Sequence, residues 1–254
     1  MTALDLTPRP GAAPFPRMVL AQAGAELKAT LRHGEQLLLT MVIPILLLAG
    51  FSVAPLIDVP GTRVDFLTPG IIALAVMSTA FTGQAIATGF ERRYGVLRRL
   101  GATPLSRSGL LLAKTVAVLA VEVLQVAAIV VVAFLLGWRP AGSPLGAAAL
   151  ILLGTAAFSG LGLLMAGILR AEATLAGANL VYLILLGCGG VVFSVEKLPA
   201  SVQPIVELLP ITALTDGLRA VLRDGSAPPI ACVAVLLAWA ALTLILAART
   251  FRWE

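Results

Sequence analysis

Six mostly apolar blocks, each near 20 residues or longer and separated by polar turns, constrain this chain more than any other feature. They occupy residues 37–56, 66–90, 109–137, 145–169, 173–194 and 230–248. A hydrocarbon core about 30 Å thick is crossed by a helix of about 20 such residues. Blocks of this length have no use in a soluble domain, where apolar positions recur as short periodic stripes. Composition agrees: 59% of the 254 residues are hydrophobic and 12% are charged. A soluble domain carries about 25% charge, and this chain has too little to coat one. Pro44, inside the first block, is a candidate kink that neighbouring helices can accommodate.

The net charge of +5 would raise the question of nucleic acid in a soluble protein. Here the basic residues cluster beside apolar blocks, which reads as membrane orientation, with no nucleic-acid partner. Arg9, Arg17, Lys28 and Arg32 precede the first block, and Arg92, Arg93, Arg98, Arg99 and Arg107 follow the second. Arg170 follows the fourth, and Arg249 and Arg252 close the chain. The opposite side carries only Arg63, Arg139, Lys197, Arg219 and Arg223. This asymmetry, with an even number of spans, predicts a multi-pass protein of the cell membrane with both termini cytoplasmic. Lys114, near the cytoplasmic end of the third span, is expected to snorkel.

Residues 1–16 are proline-rich and expected to be disordered, and no signal-type apolar run precedes residue 37. In residues 17–36, Val19, Leu20, Ala23, Leu27 and Leu31 recur at helical spacing among Glu26, Lys28, Arg32 and Glu35. That pattern predicts an amphipathic helix on the membrane surface. His33 has no metal-ligand neighbourhood, and Cys188 and Cys232 sit in apolar runs as small packing residues. No P-loop or catalytic constellation is present, so the sequence reads as no enzyme, and any ATP would be bound elsewhere.

Polar residues inside the spans admit two uses. Glu122 and Gln125 lie near the middle of the third span, on nearly one face. A carboxylate there must face protein or water. Glu122 serves either a translocation cavity, with Gln84, Gln125 and Asn179, or an interhelical hydrogen bond to Gln84 or Asn179. Gly154, Gly160, Gly162 and Gly167 allow close helix approach, either within the chain or between two copies. Gly187, Gly189 and Gly190 admit either a bend or close packing.

The loop after the second span reads Glu91-Arg92-Arg93-Tyr94-Gly95-Val96-Leu97-Arg98-Arg99-Leu100-Gly101-Ala102-Thr103-Pro104-Leu105-Ser106-Arg107. Tyr94, Leu97 and Leu100 align on one helical face among arginines, and Gly101 and Pro104 supply a stop. Such a helix either docks in a groove on a cytoplasmic partner or binds anionic lipid. This run resembles the first cytoplasmic loop of ABC-2-type ABC transporter permeases, including the drug-resistance exporters. In that family the segment is the coupling helix, which would assign Glu91, Arg92, Arg93, Tyr94, Val96, Leu97, Arg98, Arg99, Leu100, Thr103 and Pro104 to ATPase contact. Arg93 stands where the family often has an acidic residue. A second run, Leu209-Pro210-Ile211-Thr212-Ala213-Leu214-Thr215-Asp216-Gly217-Leu218-Arg219, resembles the family's external hairpin before the last span. Its marked positions are Pro210, Thr212, Leu214 and Arg219.

The resemblance implies an all-α integral membrane protein, with its transmembrane domain over residues 37–254. It would have six transmembrane helices, an N-terminal surface helix, a coupling helix and an external hairpin. It implies a second copy or homologue, the lipid bilayer, and two ATP-binding cassette ATPase subunits that bind ATP and Mg. Family members export drugs, lipids and other amphipathic compounds. The alternatives are a proton-coupled secondary transporter using Glu122, which leaves the loop unexplained, and a non-transporting assembly subunit.

Overall fold

The computed structural model describes residues 11–32, 34–53, 61–191 and 199–250, and its regular structure there is entirely helical. Helix α1 (Phe15–Arg32) is followed by α2 (Gly34–Val53), which contains Pro44. The next long helix comprises α3 (Arg63–Val76), a π-helical stretch (Met77–Gly83) and α4 (Gln84–Arg93). A short α5 (Val96–Gly101) leads into α6 (Arg107–Leu135), α7 (Pro144–Ile168) and α8 (Ala171–Cys188). Two further short helices, α9 (Gln203–Glu207) and α10 (Pro210–Leu222), precede α11 (Ile230–Thr250).

Five of these helices are long and apolar enough to cross a membrane: Arg63–Arg93, Arg107–Leu135, Pro144–Ile168, Ala171–Cys188 and Ile230–Thr250. They match the expected blocks at 66–90, 109–137, 145–169, 173–194 and 230–248. The block at 37–56 falls on α2, a 20-residue helix, and its last residues, 54–56, lie outside the described residues. The fifth block stops early. Its helix ends at Cys188, because Gly190 takes φ +67°, a conformation that turns the chain and that L side chains rarely adopt. Of the expected disordered stretch 1–16, residues 15 and 16 already belong to α1, and 1–10 lie outside the described residues, as does His33.

Local chemistry explains the boundaries. Ser106 caps α6, its Oγ accepting from the Gly109 N–H at 3.1 Å. Ser143 does the same for α7, with Pro144 in the first turn, where a missing N–H costs nothing. The π-helical stretch was not expected from sequence. It inserts a wider turn in the middle of the most enclosed span, 78% of whose most apolar window is buried.

Helix α7 lies along α11 and also meets α10 and the π-helical stretch. Gly154, Gly160 and Gly162 each pack against other parts of the same chain. A Cβ on Gly160 would stand 2.2 Å from Thr243 Oγ1, and one on Gly162 2.7 Å from the Phe81 carbonyl oxygen. A Cβ on Gly154 would stand 2.8 Å from Leu214. Gly189 packs against Ile211, whereas Gly187 faces open space.

Helix α1 packs against the rest of the chain. Val19 and Ala23 bury against α6, packed on Ala113 and Val116. The remaining apolar positions divide, and Leu20 and Leu31 stay exposed.

Candidate functional site

The turn between α4 and α6 is built around two leucines. Gly95, at φ +72°, breaks the helix and starts α5 in a new direction. Leu97 is fully buried, packed with Leu105, Leu110, Leu111, Leu163 and Ala247, and Leu100 leans on the same cluster. The expected apolar face of Tyr94, Leu97 and Leu100 is therefore split. Leu97 and Leu100 anchor α5 to its own chain, while Tyr94 is 69% exposed. The reason is the left-handed residue between them, which takes Tyr94 out of helical register with Leu97. What projects outward is Tyr94, Val96, Arg98, Arg99, Thr103 and Pro104. Thr103 donates to the Leu100 carbonyl at 2.6 Å and closes the end of α5.

Two arginines of this stretch are already engaged. Arg92 donates to the carbonyls of Gly167, at 2.9 Å, and Leu169, satisfying the C-terminal end of α7. Arg93 pairs with Glu172 at the surface.

Behind the turn lies an ion triad centred on the buried Lys114, with Glu26 and Glu91 partly exposed. Lys114 Nζ reaches Glu91 Oε2 at 2.6 Å and Glu26 Oε2 at 3.0 Å, with its side chain 4% exposed. Lys114 thus does not snorkel. Two carboxylates, one from α1 and one from α4, hold it inside, which avoids the large cost of an unpaired buried charge. The triad borders a cavity of about 390 Å³, whose wall also includes Gln84, Thr88, Phe90 and Tyr94.

The polar residues proposed for a shared translocation cavity are not brought together. Glu122, 1% exposed, accepts from Thr155 Oγ1 at 2.5 Å. Its partner is therefore neither Gln84 nor Asn179. Gln125 accepts from Thr79 Oγ1 at 2.9 Å and donates to the Thr40 carbonyl at 2.6 Å. Asn179 is exposed on α8, and Gln84 belongs to the cavity beside the triad. The one-face spacing of residues 122 and 125 holds, but they reach different neighbouring helices.

Helix α10 packs against α3 and α7 and is buried along most of its length. Pro210 opens it at a position that needs no N–H. Leu214 fills the notch at Gly154, and Thr212 is 1% exposed. Arg219 lies 3.9 Å over the Phe66 ring, donates to the Val191 carbonyl at 2.9 Å and faces Asp216 at 3.6 Å. Burial pushes its guanidinium down to about 10, so it stays charged at neutral pH.

The sequence pattern of the ABC-2 type transporter family matches residues 19–222, from the face of α1 that docks on α6 to the end of α10. The chain belongs to the ABC-2 type transporter family. No curated protein matches it. The family supports a membrane permease of an ABC transporter, and ABC-2 permeases as a family are transmembrane translocation subunits and not themselves enzymes. The families of such permeases generally work with ATPase subunits and as dimers.

Several residues that organise this ABC-2 domain escape a reading of the sequence. Glu26 reads as part of a solvated face, yet it is half of the pairing of Lys114. A signal was available: a lysine inside an apolar run needs a carboxylate at the same depth. Thr155 and Thr79 carried no such signal, since threonine is at home in apolar helices whether or not it serves a neighbour.

Proposed function

We propose that this chain is the permease half of an exporter for drugs, lipids or other amphipathic compounds. Separate ATPase subunits would bind ATP and Mg and supply the energy. In this reading two copies, or this chain and a homologue, pair in the cell membrane, each with six spans and α2 as the first. The termini and the α4–α6 turn lie in the cytoplasm, and the α9–α10 hairpin lies outside.

One observation carries the reading. The α4–α6 turn is anchored from within by Leu97 and Leu105, while Arg98, Arg99, Val96, Thr103 and Pro104 project from it. A rigid, basic projection held between two long spans is suited to receive a push from a docked partner. Closure of the ATPase pair on ATP would press on α5, and the buried leucines would pass that displacement to α6 and α11. The pairing of Glu122 with Thr155, away from the cavity, weighs against a proton relay and so against the secondary-transporter alternative.

The test separates the outward face from the anchor. Arg98→Glu with Arg99→Glu is expected to leave folding intact and lower co-purification with a cognate ATPase about tenfold or more, by placing like charge against an acidic rim. Leu97→Ala is expected to lower the chain's own thermal stability by about 2–5 kcal/mol, as for a core leucine. Charge-reversed protein that still binds the ATPase and transports as wild type would refute the docking role.

A further inference from the structure

Helix α1 turns its one carboxylate inward and three bases outward. Glu26, its sole acidic residue, accepts from Lys114 Nζ at 3.0 Å and from the Gln22 amide at 2.9 Å. Val19 and Ala23 share that inner face, packed on Ala113 and Val116. Arg17, Lys28 and Arg32 are exposed, and none of them pairs with a carboxylate among the described residues. At about 100° per residue these three bases fall within about 60° of one another, roughly opposite Val19, Ala23 and Glu26. Leu20, Leu27 and Leu31 fall within about 40°, roughly a quarter turn from either set. Leu20 is 64% and Leu31 42% exposed, so this stripe is not used up by the chain's own core. Around its axis the helix therefore presents a protein-facing side, then an apolar side, then a basic side. It stands directly before α2, which begins at Gly34 and carries the first apolar block.

We propose that α1 is a binding surface for anionic phospholipid, with its leucines among acyl chains and Arg17, Lys28 and Arg32 on headgroup phosphates. The edge of a bilayer offers that order of surroundings, hydrocarbon beside phosphate, and a helix lying in it needs apolar and basic positions side by side. Long basic side chains reach from the acyl boundary to the phosphates. Three bases without carboxylate partners favour a lipid of net negative charge over a zwitterionic one. A soluble partner gripping the basic stripe alone would leave the leucine stripe in water. The site goes beyond the permease reading: it requires a bilayer, but no ATPase, no cargo and no second copy.

The experiment places a reporter between the two stripes. Gly24 is exposed there, and a Cβ added to it meets nothing within 4 Å. The full chain with Cys188→Ala, Cys232→Ala and Gly24→Cys is labelled with bimane and reconstituted in vesicles of equal parts phosphatidylglycerol and phosphatidylcholine. In one preparation the acyl chains of phosphatidylglycerol carry bromine, and in the other those of phosphatidylcholine. Relative quenching then gives the lipid composition at α1. Phosphatidylglycerol is expected to be enriched there at least threefold over the bulk. Adding Arg17→Gln, Lys28→Gln and Arg32→Gln together is expected to bring the ratio to about one, while both lipids still quench, because the leucines keep the helix at the boundary. Should the triple variant fail to reconstitute, Lys28→Gln alone, one turn from the label, is expected to at least halve the enrichment. Equal quenching by the two lipids in the parent protein overturns the proposal, as does enrichment that survives the loss of these charges. Quenching by neither lipid would place α1 under water or another protein, and it too overturns the proposal.

Discussion

Residues with the same charge differ here by depth. Lys114 is enclosed by two carboxylates at 2.6 and 3.0 Å, whereas the Arg93–Glu172 pair is more than half exposed on both sides. Lys114→Met would leave two partly buried carboxylates facing each other, and about 2–4 kcal/mol of stability is expected to go. Arg93→Ala is expected to cost less than about 1 kcal/mol, since solvent screens the pair. Thermal unfolding in detergent measures both, and comparable losses would mean that the triad is open to water. Glu122 supplies a second comparison. Glu122→Gln keeps an acceptor for the Thr155 hydroxyl, so both stability and transport are expected to survive. Thr155→Val strips the carboxylate of its partner and is expected to cost about 1–3 kcal/mol. Transport lost in a stably folded Glu122→Gln variant would show that the charge itself is used.

Among the elements, α7 and α11 share the most extensive contact, and at Gly160 glycine makes the approach possible. At Gly160 a Cβ would collide with Thr243 and with the backbone nitrogen of Leu244, 2.9 Å away. Gly160→Leu is therefore expected to push α11 off α7, with a loss of about 1–3 kcal/mol or more from overpacking. Gly187→Ala near the end of α8 meets open space and is expected to stabilise that helix by about 0.5–1 kcal/mol. Chemical unfolding of the two variants in mixed micelles compares them directly. A neutral Gly160→Leu would mean that the two helices can separate at no cost. The π-helical stretch in the Arg63–Arg93 helix offers a third kind of element, a widened turn beside the Gln125–Thr79 contact.

For the molecule as a whole, the arginine asymmetry predicts which ends of the helices face the cytoplasm. With Cys188 and Cys232 replaced by alanine, a cysteine at Arg139 is expected to react with an impermeant maleimide added to intact cells. One at Arg98 is expected to react only after permeabilisation. Both positions are exposed on the chain, so access is decided by the membrane and not by burial. Labelling of Arg98→Cys from outside would invert the topology and remove α5 from reach of an ATPase.

Membrane character, five of the spans and the place of the α5 turn were legible in the sequence, because the need to satisfy backbone polar groups in lipid writes long apolar runs that few other folds produce. The caps at Ser106 and Ser143, and the Pro210 start of α10, rest on local chemistry that the structure shows. Side-chain partnership was not legible. Glu122 found Thr155, Lys114 found Glu26 across 88 positions of chain, and Leu97 turned inward because one left-handed glycine redirects α5. Helical periodicity names the face of a helix that a residue occupies. Which neighbour that face meets depends on how the helices cross, and only the tertiary packing decides that.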